Sequence, residues 1–285
     1  MKKRRFLYII LSLLGLCIAF YPVFSEIYHE KQMKNAVKNY EEQLLSEADE
    51  NMTAILKAAQ NYNSELVGRH IKNIYIPAER DEASLYYSLL NYTGDGCMGT
   101  VEIPCIDLTL PIYHFTDELS LESGAGHLQG SSMPIGGSGS HSVLIAHRGL
   151  PGKRLFTDLD KVAVGDLFYI RILGQTLAYE AVSTEVVSPD NADSLAIDEE
   201  KDQCTLVTCT PYAVNTMRLL VHGVRTEYKE GQQNEGVSLR SLSLHSAVIR
   251  VCFVAAGIAA AILISAVVDF IRKKCRKTER DETEY

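Results

Sequence analysis

The residue best placed for covalent chemistry in this sequence is Cys209, at the end of the β-branched run in "KDQCTLVTCTPY", residues 201–212. In an extended strand the side chains alternate faces, so Cys204, Leu206 and Thr208 share one face and Thr205, Val207 and Cys209 the other. Cys204 and Cys209 would stand roughly 16 Å apart along such a strand, whereas a disulfide needs Cα atoms about 4.4–6.8 Å apart, so the two do not pair. Cys209 leads into "TPYAVNT", where Pro211 and Asn215 mark a loop. A strand end opening into a loop is where a rigid scaffold holds reactive side chains out. A strand cysteine is more often a small buried hydrophobe, and that is the simplest reading of Cys204.

A thiolate that attacks an acyl carbon needs a proton donor for the leaving amine and a group to hold the oxyanion. Arg218 opens the next apolar run, "TMRLLVHGVR", and on a returning antiparallel strand it comes near Cys209. A guanidinium there favours the thiolate or the oxyanion. His147 ends the run "SVLIA" and opens "RGLPG", the same strand-to-loop setting as Cys209. Its rival is His222, which shares a face with Arg218 through Leu220. His141, at the far end of the run that leads to His147, reads as an ordinary solvated residue.

Short β-rich runs divided by Gly and Pro must position these groups. From about Gly96 they are "MGTVEIPCIDLTLPIYHF", "HSVLIAHRG", "DLFYIRILGQTLAYEAVSTEVVS", "QCTLVTCT" and "TMRLLVHGVR". Several short strands with turn signals between them predict an all-β barrel or sandwich, and the lack of alternating β and α patterns excludes a doubly wound nucleotide fold. The stretches "GAGHLQGSS" (124–132) and "GGSGSH" (136–141) lack the strand, helix and G-K-[ST] context of a phosphate loop, so they are expected to be flexible loops. Upstream, residues 28–66 contain no Pro or Gly. There Met33, Val37, Tyr40, Leu44, Leu45, Met52, Ile55, Leu56 and Ala59 recur at three- and four-residue steps, predicting a helical stalk that packs on the downstream domain.

A hydrophobic content of 46% with 22% charged residues describes a folded chain. A net charge of −8 without a basic, aromatic-interleaved stripe argues against nucleic acid as a partner. Basic residues gather at the ends instead. "KKRR" precedes the apolar run Phe6–Phe24, and a second run, Val251–Val268, precedes "RKKCRK". Each run is about long enough to cross a ~30 Å hydrocarbon core. Flanking positive charge puts both termini in the cytoplasm and residues 25–245 outside; the first run has equally the look of a cleaved signal peptide. Of the exported cysteines, Cys97 and Cys105 are expected to be buried thiols, and the absence of C-x-x-C makes a structural zinc site unexpected.

"TLVTCTPYAVNTMRLLVHGVR", 205–225, resembles the TLxTC…R signature of sortases, and "HSVLIAHRGLPGKRLFTDLDKVAVGD", 141–166, resembles the histidine segment of their class C, pilin-assembling branch. "YYSLLNYTGDGCMGTVEIPCIDLTLPIYH" and "GAGHLQGSSMPIGG" are similar to the same branch, so the resemblance spans about 86–226. It implies a mainly β fold: an eight-stranded sortase-like barrel with N-terminal helices, flanked by two transmembrane helices. The chain would then divide into a cytoplasmic start (1–5), an anchor or signal segment (6–24), an extracellular helical stalk with a lid region (25–85), the catalytic barrel (86–228), a linker (229–246), a transmembrane helix (247–271) and a cytoplasmic tail (272–285).

The resemblance also implies roles: Cys209 as nucleophile, His147 as general acid and base, and Arg218 as stabiliser of substrate or oxyanion. It implies cleavage of an LPxTG-like sorting signal between Thr and Gly, a thioacyl intermediate, and its resolution by a lysine amine of another pilin subunit at a Gram-positive cell membrane. The partners are then sorting signals, the acceptor lysine and membrane lipids, and no cofactor or metal is implied. Two other readings stand beside it: a sortase that anchors surface proteins to peptidoglycan, and a non-catalytic barrel that binds surface proteins. Class C enzymes commonly carry a lid with an Asp-Pro-aromatic motif. Here "ELVGRHIKNIYIPAERDEASLYYSLLN" has no Asp-Pro, leaving Tyr75 or Ile76 as candidates to plug the cleft, or a degenerate lid.

Overall fold

In the computed structural model, residues 2–45, 49–68, 71, 73–74, 80–229 and 257 are described. The chain falls into two units, Met1–Val23 with Leu242–Tyr285, and Phe24–Ser241. Helix α1 spans Lys2–Leu44. Most side chains of the first apolar run, and all of the second except Gly257, lie outside the described residues. Among the described residues no helix is long and apolar enough to cross a membrane. Tyr75 and Ile76 are also outside them.

The unit Phe24–Ser241 is built on eight strands: β1 (Cys97–Ile103), β2 (Leu108–His114), β3 (Ala125–His127), β4 (Ser140–Ile145), β5 (Leu167–Ile172), β6 (Gln175–Val187), β7 (Asp202–Thr210) and β8 (Met217–Thr226). They close into a barrel in the order β1-β2-β3-β4-β7-β8-β6-β5. The pairs β2–β3 and β4–β7 are parallel and the other six antiparallel. Closure leaves no open sheet edge. Each of the five β-rich runs contributes a strand, and "DLFYIRILGQTLAYEAVSTEVVS" folds at Leu173-Gly174 into the β5–β6 hairpin. Both turn residues have positive φ, as a two-residue turn matched to strand twist requires.

Strand alternation sorts the chain into two apolar layers. Leu144, Ala146, Cys204, Leu206, Leu219 and Val221 point into the barrel's main core. Val143, Val207 and Leu220 point outward into a smaller cluster with Leu128, Val187, Ala192, Leu195 and Ile74, and Ile145 packs against it. The connection between β6 and β7, residues 188–201, covers that outer face through the 3-10 turn Asp193–Leu195.

Helix α2 (Asp49–Leu66) packs on the barrel as the stalk reading expects, with Ala59 and Leu66 buried. Asn63 fixes it: its amide donates to Met133 O (3.1 Å) and accepts from Met133 N (2.6 Å). From α1, buried Tyr40 donates to Met98 O (2.8 Å) and accepts from Leu173 N (3.1 Å), joining the helix to β1 and to the β5–β6 turn. Leu45, expected on the packing face, is instead 88% exposed, because α1 ends at Leu44.

Two further expectations are corrected. "GAGHLQGSS" is not a flexible loop; it contains β3, with His127 fully buried. Its glycines permit close approach: a Cβ on Gly126 would sit 2.3 Å from Phe115 O, and one on Gly124 2.3 Å from Pro111 O. His141 is not solvated but fully buried. Burial pushes its pKa down to about 4, and the nearby His222 lowers it too, against a hydrogen bond to Ala196 O. Cys97 and Cys105 are buried thiols, and burial with the Asp95 charge pushes the Cys97 thiol up to about 12.

Candidate active site

Antiparallel register sets Cys209 directly opposite Arg218, a spacing of roughly 4.5–5.5 Å between Cα atoms. On the other side β4 runs parallel to β7 with Ile145 beside Val207. Ala146 N continues that ladder to Val207 O (3.1 Å), and Thr208 Oγ1 donates to Ala146 O (2.8 Å). The next step along both chains brings His147 to the level of Cys209. Cys209 and Arg218 therefore sit at one end of β7 and β8, on the face that carries Val207 and Leu220, and His147 follows two residues beyond the end of β4. Cys204 points the other way and is fully buried. Burial, with Asp202 nearby, holds its thiol well above the ordinary range, whereas Cys209 is partly exposed.

The loop Pro211–Thr216 presents Arg218. Val214 N and Asn215 N both donate to Pro211 O (3.1 and 3.0 Å), and Asn215 takes positive φ. That turn aims Asn215 O at the guanidinium, which donates through Nη1 to Asn215 O (3.2 Å) and Met217 O (3.1 Å). Arg218 is only 6% exposed, and its fork is held opposite Cys209.

His147 Nε2 is buried without a hydrogen-bond partner, with Glu118 Oε2 3.8 Å away. Glu118 opens helix α3 (Glu118–Ser123). Arg148 braces the same corner, its Nη1 donating to Thr210 Oγ1 (3.2 Å) and its Nη2 to Asp160 (2.6 Å). Sequence reasoning missed both Glu118 and Arg148. The adjacency of Arg148 to His147 in "HRG" was the one signal for it, while nothing in the sequence placed Glu118 near His147.

His222, the rival histidine, shares the face of Arg218 but lies four residues along β8, opposite Thr205. It is hydrogen-bonded to Thr205 Oγ1 (2.9 Å) and Glu185 Oε1 (3.0 Å), so it is not brought to Cys209. Between the two levels lies the Val207–Leu220 pair, covered by buried Ile74, whose N–H donates to Pro189 O (3.1 Å). Ile74, downstream of α2, thus packs on the outer face that carries Cys209. Among the described residues no cluster of His, Cys, Asp and Glu could hold a metal ion.

A thiol, an imidazole and a guanidinium so arranged can carry out acyl transfer through a covalent intermediate. Comparison with known proteins agrees. The sortase-domain family model matches residues 101–226. Sortase D of Bacillus subtilis is 31% identical over 148 residues, covering 51% of this chain and 71% of that protein. Sortase C1 of Streptococcus agalactiae superposes with a TM-score of 0.64 at 41% identity, over 68% of this chain and 100% of that one. Sortase C of Streptococcus pneumoniae superposes with a TM-score of 0.60 at 36% identity, over 68% of this chain and 97% of that one. The structural neighbours are thus class C sortases, and the eight-stranded closed barrel is theirs as well. The chain belongs to the sortase family of cysteine transpeptidases.

Proposed function

We propose that this chain is a pilin-polymerising sortase that cleaves an LPxTG-like sorting signal between Thr and Gly and passes the acyl group to a lysine amine. The observation that carries the reading is the placement of Cys209 between Arg218, its cross-strand partner, and the strand end that bears His147. The sorting signal lies on the outer face of β4, β7 and β8, over Val143, Val207 and Leu220. The Cys209 thiolate attacks the Thr carbonyl carbon, forming an S–C bond, while Arg218 holds the oxyanion. Protonated His147 gives its proton to the departing Gly amine as the C–N bond breaks. An incoming lysine amine then attacks the thioester, loses a proton to His147 and releases the thiolate.

The class C character of the solved neighbours favours pilin lysine over a peptidoglycan amine as acceptor, and the Streptococcus pneumoniae sortase C structure is described as bearing on pilin substrate specificity. The apolar runs 6–24 and 251–268 support membrane anchoring with both termini in the cytoplasm and the barrel outside. The test is to incubate the purified chain with a sorting-signal peptide and either a pilin-derived lysine peptide or a wall-precursor amine. Joined product with the lysine peptide is expected; product with the wall-precursor amine alone overturns the acceptor assignment.

A further inference from the structure

Beyond the apolar stretch of the groove, the same outer face carries a run of hydrogen bonds that the reaction above leaves unused. It starts at Ala196 O, which lies 3.0 Å from His141 Nδ1. His141 Nε2 is 2.7 Å from Thr205 Oγ1, Thr205 Oγ1 is 2.9 Å from His222 Nδ1, and His222 Nε2 is 3.0 Å from Glu185 Oε1. The run crosses β4, β7, β8 and β6. Its middle members are buried, and Glu185 meets solvent at the far end.

Both ends of this relay are acceptors, a carbonyl and a carboxylate. Four hydrogen bonds need four hydrogens, but two neutral imidazoles and one hydroxyl supply three. The intact relay therefore holds one additional proton. His141 is a poor place for it, since burial and His222 both disfavour its charged form. Glu185 is a poor place too: burial raises its pKa, but hydrogen bonds from Ser194 and His222 outweigh that and leave it below the ordinary value. The hydrogens therefore run outward from His222, to Glu185 on one side and to Thr205 on the other. His222 Nδ1–H then donates to Thr205, the Thr205 hydroxyl to His141 Nε2, and His141 Nδ1–H to Ala196 O. The titratable groups set against His222 are Glu185 from β6 and, across Thr205 of β7, His141 from β4. Arg218 shares its face four residues along β8.

The relay's two ends touch the wall of the groove. Ala196 follows the turn Asp193–Leu195, and Ser194 of that turn bonds Glu185. Leu195 and Ala192 from the same connection pack in the cluster with Val143, Val207 and Leu220. The Thr205–His222 pair is four residues from the Cys209–Arg218 pair on both strands, about 13 Å along one face, which is the reach of a four-residue extended peptide. We infer that His222, Thr205, His141 and Glu185 form a positioning relay that holds the 193–196 wall against the bound sorting signal. It does so only while it retains its one additional proton, so affinity for the signal falls as pH rises. The inference rests on the reading that the sorting signal lies along this face.

The test measures the dissociation constant of a fluorescent sorting-signal peptide on the full chain carrying Cys209→Ala, so that no chemistry intervenes, at a series of pH values. It also measures hydrogen exchange of residues 193–196 without peptide, corrected for the intrinsic rate. The dissociation constant should rise severalfold with pH, and exchange at 193–196 should accelerate in step. Glu185→Gln, whose amide can donate to His222, closes the relay without the additional proton and should flatten both profiles. Thr205→Val should weaken binding about tenfold at low pH and expose 193–196 at every pH, and Thr205→Ser should restore both. A Glu185→Gln variant that keeps the parent's pH profile overturns the relay, as does a Thr205→Val variant with parental binding and protection. If no peptide binds at any pH, the reading of the groove fails, and the exchange profiles of the parent and Glu185→Gln still decide the relay.

Discussion

Ile74 is 2% exposed and sits in the outer apolar cluster with Val207 and Leu220, which lie two residues along each strand from Cys209 and Arg218. On the proposed reading a sorting signal lies on that pair, which Ile74 covers, so binding requires Ile74 to move aside. Ile74→Ala removes three buried carbons, worth about 0.8 kcal/mol each, or about 2.4 kcal/mol in all. That loss weakens the covered state relative to the open one. Because apparent affinity scales with the fraction of binding-competent molecules, and about 1.4 kcal/mol is a factor of ten, KM should fall by up to about 50-fold. Chemistry on bound peptide is untouched, so kcat should stay within about twofold. The assay is steady-state cleavage of a quenched sorting-signal peptide, with the alkylation rate of Cys209 by a bulky maleimide as a peptide-free control. An Ile74→Ala enzyme with unchanged or higher KM and unchanged alkylation refutes the idea that this residue occupies the groove.

Arg218→Lys replaces a fork held by Asn215 and Met217 with a single ammonium, and kcat should drop by about 10²–10³, the usual effect of losing one oxyanion donor; kinetics within threefold of the parent would count against the oxyanion role. Asn63→Ala leaves the buried N–H of Met133 without its partner, while Met133 O keeps the bond from Ile135 N, so thermal unfolding should show a loss of about 2 kcal/mol with kcat retained. His127 has its pKa lowered to about 4 by burial, and further by His114, against a hydrogen bond to Ser132 O. Its neutral form is therefore the one the fold accepts. The stability it contributes is full above about pH 6.5 and is lost as pH falls towards 4, amounting to about 3 kcal/mol. Urea midpoints at pH 7 and pH 4.5 should differ accordingly, and His127→Gln should narrow the gap; an unchanged gap in the variant would remove His127 from the explanation.

The parts of this site that were legible in the sequence obey local rules. Side-chain alternation along "QCTLVTCT" separates Cys204 from Cys209 without any structure, and the nine residues to Arg218 leave room for one short loop and a returning strand. His147 was legible for the same reason, as the end of an apolar run. What was not legible depends on which strands become neighbours. β3 hid in "GAGHLQGSS" because its glycines, which read as flexibility, serve close backbone contact with Pro111 and Phe115. His141 read as solvated because the partner that pairs with it, Thr205, lies 64 residues away. Ile74 gave no signal either, since a single isoleucine beyond a helix end has no periodicity from which to infer the surface it covers.

The most direct measurement is to trap the acyl-enzyme. The chain is incubated with a sorting-signal peptide in the absence of amine, quenched in acid, digested and mapped by mass spectrometry. Added lysine peptide should then discharge the adduct. The account predicts a thioester on Cys209 that carries the peptide up to its Thr, absent from Cys209→Ala and removed by the amine. An adduct on Cys204, or cleavage by Cys209→Ala at the parent's rate, would contradict it.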